Sequence, residues 1–129
     1  IEQAEGCEWK AAMTQTRSND MNTKPVCFII GPIGEAGTVV RKHADELFEF
    51  VLEPITSDLS LTISRSDRIG APGMISQQII DKLIDSEIVI ADLSFHNPNA
   101  FYELAIRHTM KAKPTIHICR RQDRIPFDL

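Results

Sequence analysis

The stretch ADLSFHNPNAFYELAIRH, residues 91–108, decides the fold. Just before it, Glu87-Ile-Val-Ile-Ala-Asp92 is β-branched and apolar until it meets a carboxylate. A continuous apolar run without polar alternation suits a strand covered on both faces. Ser94, His96, Asn97 and Asn99 then supply a polar loop. Pro98 fits the first position of a helix, with Asn97 as the cap before it. Glu103 falls in the second turn. Two carboxylates, Asp92 and Glu103, thus flank a loop at the carboxyl end of a strand, which is where open α/β sheets bind ligands.

Upstream, Val26-Cys-Phe-Ile-Ile30 reads as a second buried strand that breaks at Gly31-Pro-Ile-Gly34. Glycine between a strand and a helix permits close backbone approach to a phosphate or ribose, or simply makes a tight turn. No Gly-Lys-Ser/Thr follows, so this is not a phosphate-binding P-loop. From Thr38, a candidate cap, to Ile55 the apolar residues Val40, Ala44, Leu47, Phe48, Val51 and Ile55 recur at helical spacing, with Pro54 marking the end. Arg41 lies close enough to the glycine turn to reach an anion. Leu59 to Ser64 alternates like a less buried strand, and the loop Arg65 to Gly73 offers Arg65, Asp67 and Arg68 as ligand contacts or as plain loop charge. A helix is predicted from Met74 to Ser86.

Downstream, the helix from Pro98 to about Lys111 shows two apolar faces, Phe101/Ala105/His108/Ala112 and Tyr102/Ile106/Met110. Two such faces call for two partners, the sheet and a neighbouring subunit, so a homo-oligomer is expected. Pro114 to Cys119 reads as the last strand. The order β-α-β-α-β-α-β with right-handed crossovers predicts a three-layer α/β/α domain with a flavodoxin-like parallel sheet, order 2-1-3-4. A fifth strand is usual in this architecture and none is legible, so the reading expects a chain cut short at its carboxyl end.

The 129 residues fit one domain, assigned to 25–129, with 1–24 as a flexible extension or linker. At a net charge of −4 the chain is not built to coat nucleic acid or an anionic membrane. No apolar run approaches the roughly 18 residues of a membrane span. The first twenty residues, with Glu2, Glu5, Glu8 and Asp20, do not read as a secretory signal. Cys7, Cys27 and Cys119 form an odd set without CxxC spacing, which favours reduced thiols and a cytoplasmic setting. His43, His96, His108 and His117 lack metal-ligand spacing, so neither a metal nor a cofactor is expected.

FIIGPIG (28–34), RKHAD (41–45), SRSDRIGAPGMIS (64–76), ADLSFHNPNAFYELAIRH (91–108) and the closing IPFD together resemble the nucleoside 2-deoxyribosyltransferase-like family, allied to the Toll/interleukin-receptor (TIR)-like domains of bacterial defence systems. The resemblance spans roughly residues 25–128. It implies a catalytic glutamate at Glu103, with Asp92 holding the sugar or assisting the leaving base. It implies further that Gly31, Pro32, Ile33, Gly34, Arg41, Asp67, Ser94, Asn97, Asn99 and Tyr102 line the substrate. The loop before the glutamate is Asn-Pro-Asn, whereas well-studied transferases are acidic and glycine-rich there. The serine- and tryptophan-bearing signature of many NAD-cleaving TIR domains is absent.

Breaking an N-glycosidic bond develops positive charge on the sugar, and a carboxylate beneath the anomeric carbon stabilises or attacks it. NAD needs no protonation of its leaving group, because nicotinamide departs from a cation. With no obvious second acid on the loop, the expected activity is hydrolysis of NAD or a related nucleotide. Deoxyribosyl transfer between bases and a non-catalytic nucleotide-binding or assembly module are the alternatives. On the bland reading, Glu103 is an exposed helix residue on a polar strip, paired with Arg107 at i+4 for about 0.2–0.5 kcal/mol.

Overall fold

The computed structural model describes residues 23–69, 75–110 and 113–129. The extension with Cys7 and Trp9, residues 70–74 of the second loop and Ala112 of the predicted helix face lie outside the described residues. The order is β1 (Val26–Ile30), α1 (Val39–Leu47), a π-helical continuation (Phe48–Leu52), α2 (Glu53–Asp58), β2 (Thr62–Arg65), α3 (Gln77–Asp85), β3 (Ile88–Asp92), α4 (Pro98–Met110) and β4 (Thr115–Ile118). The four strands are parallel in the order β2-β1-β3-β4, as the sequence predicts.

Strand β1 lacks polar alternation because both of its faces are covered. Phe28 and Ile30 join Val89, Ala91, Ile79, Leu83 and Leu104 under α3 and α4. Cys27 and Ile29 join Ile90, Phe48 and Leu52 on the opposite face. Fully burying each of Phe28, Phe48 and Leu83 stabilises the domain by roughly 1.5–3 kcal/mol. This gives the three-layer, flavodoxin-like arrangement, and its switch point falls between β1 and β3.

The first helix departs from expectation. Val51 and Ile55, placed on the buried stripe from the sequence, are 45% and 50% exposed, while Leu52 and Thr56 are buried. The π-helical turn is the cause. Each turn of i→i+5 bonding takes in one more residue than an α turn, so the stripe slips by one position. The buried Thr56 hydroxyl is satisfied by the Leu52 carbonyl at 2.8 Å. Pro54 does not end the helix; it sits in the first turn of α2, just past the widened turn, where its missing N–H is tolerated. Thr38 caps α1, its Oγ1 accepting from the Arg41 N–H at 3.2 Å. Helix α3 is capped at Ser76 rather than starting at Met74. Strand β2 starts at Thr62, later than its alternation suggests, and takes in Arg65 at its carboxyl end.

Candidate functional site

The glycine turn and the β3–α4 loop meet at the switch point. Ile30 pairs with Ala91 in the sheet, which sets Gly31 beside Asp92. A Cβ on Gly31 would lie 2.9 Å from the Asp92 Cβ, so only glycine lets the two strand ends pass this closely. Gly34 has φ +69, a left-handed conformation that glycine adopts freely, and the turn tucks under Thr38 at the start of α1. Pro32 is buried and Ile33 half-buried. With Phe48, Arg65 and Asp92 they border a narrow cleft of about the size of a water molecule.

Asp92 is only 3% exposed, and both its oxygens are engaged. Oδ1 accepts from the Ser94 N–H at 3.0 Å and from the Ser94 hydroxyl at 2.6 Å. Oδ2 lies 2.7 Å from His43 Nε2, which arrives from α1. Ser94 is fully buried, and its Oγ accepts from the Arg120 N–H at 2.9 Å. The His43 ring meets Phe95 edge-on, with centroids 5.3 Å apart. Phe95 and His96 both hold positive φ, 61 and 48, which side-chain-bearing residues rarely adopt. The tail fixes them there. The Phe95 N–H donates to Asp123 at 2.9 Å, the Arg120 guanidinium lies 3.4 Å from the Phe95 ring centroid, and His96 Nε2 is 2.7 Å from the Arg124 carbonyl. The Arg120 side chain and the Phe95 N–H hold the Asp123 carboxyl down at about 2.

Glu103 corrects the helical wheel read from the sequence. The buried face of α4 is Ala100, Glu103, Leu104 and Arg107, so two charged residues occupy core positions, and Ala105 and His108 are exposed instead. Glu103 is 5% exposed and has no hydrogen-bond or ion-pair partner among the described residues. Burial pushes its carboxyl up to about 7. Arg107 does not compensate it. That guanidinium donates to the carbonyls of Leu83 at 2.6 Å, Ser86 at 3.0 Å and Pro114 at 3.1 Å, tying the end of α3 to the start of β4. The reading of an exposed Glu103–Arg107 pair is therefore overturned.

The other predicted residues separate into three groups. Gly31, Pro32, Ile33, Ser94 and Asp92 gather at the switch point. Arg41 and Asp67 are drawn into a charge network instead. Arg41 donates to Asp45 at 2.8 Å. The buried Arg65 donates to Asp45 at 2.9 Å, to Asp67 at 2.7 and 2.8 Å, and to the Ala44 carbonyl at 3.1 Å. Asn97 caps α4, its Oδ1 accepting from the N–H groups of Asn99 at 3.0 Å and Ala100 at 3.3 Å. Asn99 is exposed and Tyr102 is 61% exposed. Sequence reasoning missed His43, although it lies inside the RKHAD stretch. Its partner is 49 residues away, and only the fold reveals the pair. Sequence reasoning also passes over Arg120 and Asp123, which lie beyond the last predicted strand.

Among the described residues, no group of three or more His, Cys, Asp and Glu side chains is placed to hold a metal, and no helix is long and apolar enough to cross a membrane. Cys27 and Cys119 are free thiols. A scan against protein-family models found no match, and searches among curated proteins and solved structures found none either.

Proposed function

We propose that this domain cleaves the N-glycosidic bond of a nucleotide-type substrate, with Glu103 as the carboxylate beneath the sugar. One observation carries the reading: Glu103 is buried and has no hydrogen-bond or ion-pair partner among the described residues, in the second turn of the helix that leaves the ligand-binding edge of the sheet. It lies about 7–8 Å along the helix axis from Pro98. Burying a carboxyl group unpaired is unfavourable, and such groups concentrate where chemistry requires them. The likeness of residues 91–108 to the deoxyribosyltransferase-like and TIR-like pattern supports the same assignment.

A low-dielectric carboxylate acts strongly on a developing oxocarbenium ion, since little water screens it. Glu103 must be ionised to do this, so turnover rises with pH through about 7, provided no other step limits it. The sequence alone points to NAD, whose nicotinamide leaves without an acid, and the contacts of His43 bear on that choice. A second reading, transfer of 2-deoxyribose between bases, draws on the His43–Asp92 pair, since a neutral base departs more easily once protonated. The exposed Tyr102 and Met110 on α4 suit self-association, although Ile106 of the expected face packs on the core; a monomer by light scattering at high concentration counts against it. The free thiols accord with a reducing, cytoplasmic setting. The test is chromatographic detection of released nicotinamide or free base, with Glu103→Gln run alongside. Release from the native protein and its loss in the variant support the reading. Equal release from both proteins rejects it.

A further inference from the structure

We propose that His43 hands a proton to the leaving base, with Asp92 as its positioning residue, and that the substrate therefore carries a neutral base rather than nicotinamide. This rests on the glycosidase reading of Glu103 and narrows its substrate class. Three observations on the β3–α4 edge lead to it.

First, Asp92, to which the resemblance gives the part of holding the sugar or assisting the leaving base, is not available. Asp92 is buried, and its two oxygens are taken by Ser94 and His43. Second, His43 has one nitrogen held and one open. Nε2 faces Asp92 Oδ2 at 2.7 Å, which sets Nε2 as the protonated nitrogen of the neutral ring. Nδ1 makes no hydrogen bond among the described residues, and the side chain keeps 22% of its exposure. Third, the ring meets Phe95 edge-on, and the strained backbone of Phe95 is held in turn by Asp123 and Arg120. An imidazole oriented by a carboxylate, with its second nitrogen open to a ligand, has the geometry of an acid–base group. Asp92 is the charged group that faces the ring directly. Arg120 and Asp123 are paired with each other and reach the ring through Phe95, and Arg120 also acts on Asp92, by charge and through its N–H on Ser94. Arg41 and Asp45, on the same helix, are paired with each other.

The step balances without a cofactor. As the bond from C1′ to the base nitrogen breaks, its electron pair passes to the base, which takes the proton from Nδ1 of the imidazolium. Glu103 stabilises the charge left at C1′. A water oxygen bonds to C1′ and gives up a proton to solvent, and neutral His43 is protonated again from solvent. The net reaction is nucleoside plus water to free base plus sugar. Nicotinamide leaves NAD as a neutral molecule and gains nothing from this proton.

The experiment compares His43→Gln with the native chain on inosine monophosphate, on NAD and on 4-nitrophenyl riboside, whose leaving group needs no proton. The expected result is a loss of about a hundredfold in kcat on the nucleotide and little change on the other two. Asp92→Asn should move the pH profile on the nucleotide in the same selective way. An equal loss on all three substrates, or none on the nucleotide, overturns the assignment while Glu103-dependent release still stands. Absence of Glu103-dependent release from every substrate removes the underlying reading, and this proposal with it. A measurement without turnover guards against a variant that misfolds. In the Glu103→Gln protein, added free hypoxanthine should shift the His43 ring signals in histidine-selective NMR. Unmoved signals at saturating base overturn the proposal.

Discussion

Two groups of buried charge belong to this domain, and they are resolved in opposite ways. At the end of β2, Arg65 is buried, and its guanidinium meets Asp45, Asp67 and the Ala44 carbonyl. On α4, Glu103 is equally buried and meets no partner among the described residues. Arg107, one turn further along, spends its donors on backbone carbonyls. The first arrangement is what holding a fold together requires. The second weakens the fold, and its ground is the chemistry proposed for Glu103. Asp92 lies between the two: placed with Glu103 as catalytic from the sequence, it is saturated like the Arg65 cluster, with one oxygen on Ser94 and the other facing His43.

The contrast breaks most directly at Arg65. Arg65→Ala leaves Asp67 and a helix carbonyl without their donor, and should destabilise the domain by about 3 kcal/mol in urea unfolding. The partly open Asp45 keeps this at the low end of what a broken buried pair costs. Glu103 should show the opposite sign. Its carboxyl rises on folding from an ordinary 4.5 to about 7. The protonated form therefore favours the folded state below about 4.5, and that contribution is lost as pH rises through 7. Glu103→Gln should then stabilise the domain at pH 8 by at most about 3 kcal/mol and leave it nearly unchanged near pH 4.5. Unfolding curves at the two pH values check this, and equal effects at both would mean that Glu103 finds a partner.

Smaller effects sharpen the geometry around the pair. Gly31→Ala drives a methyl to within 2.9 Å of the Asp92 Cβ, and should destabilise the domain by about 1–3 kcal/mol. It should also disturb the His43–Asp92 contact, which histidine NMR would register. Asn97→Ala removes the cap of α4 and should lower stability by about 1 kcal/mol in urea unfolding.

Much of this was legible in the sequence, and the rest was hidden for identifiable reasons. The unbroken apolar runs of β1 and β3 announced strands with two covered faces, and helices between strands then dictated parallel order. The meeting of Gly31 with Asp92 followed from that order. The buried face of α4 did not. Its phase was read from apolar residues alone, whereas the fold buries Glu103 and Arg107 beside Ala100 and Leu104. The slip from Val51 to Leu52 was concealed because a π turn leaves no mark in the hydrophobic pattern before it. The pairing of His43 with Asp92, and the bracing of Phe95 by Asp123, depend on contacts across 49 and 28 residues, which local spacing does not carry.

The central claim is that Glu103, buried without a partner among the described residues, is there for glycosidic chemistry. The most direct test is base release at pH 8 from NAD and from a panel of nucleotides and 2-deoxynucleosides, measured on the native protein and on Glu103→Gln. The account predicts release from at least one substrate that falls by about 10²–10³-fold in the variant. Release that persists undiminished in Glu103→Gln, or no release from any substrate by a protein that binds them, would contradict it.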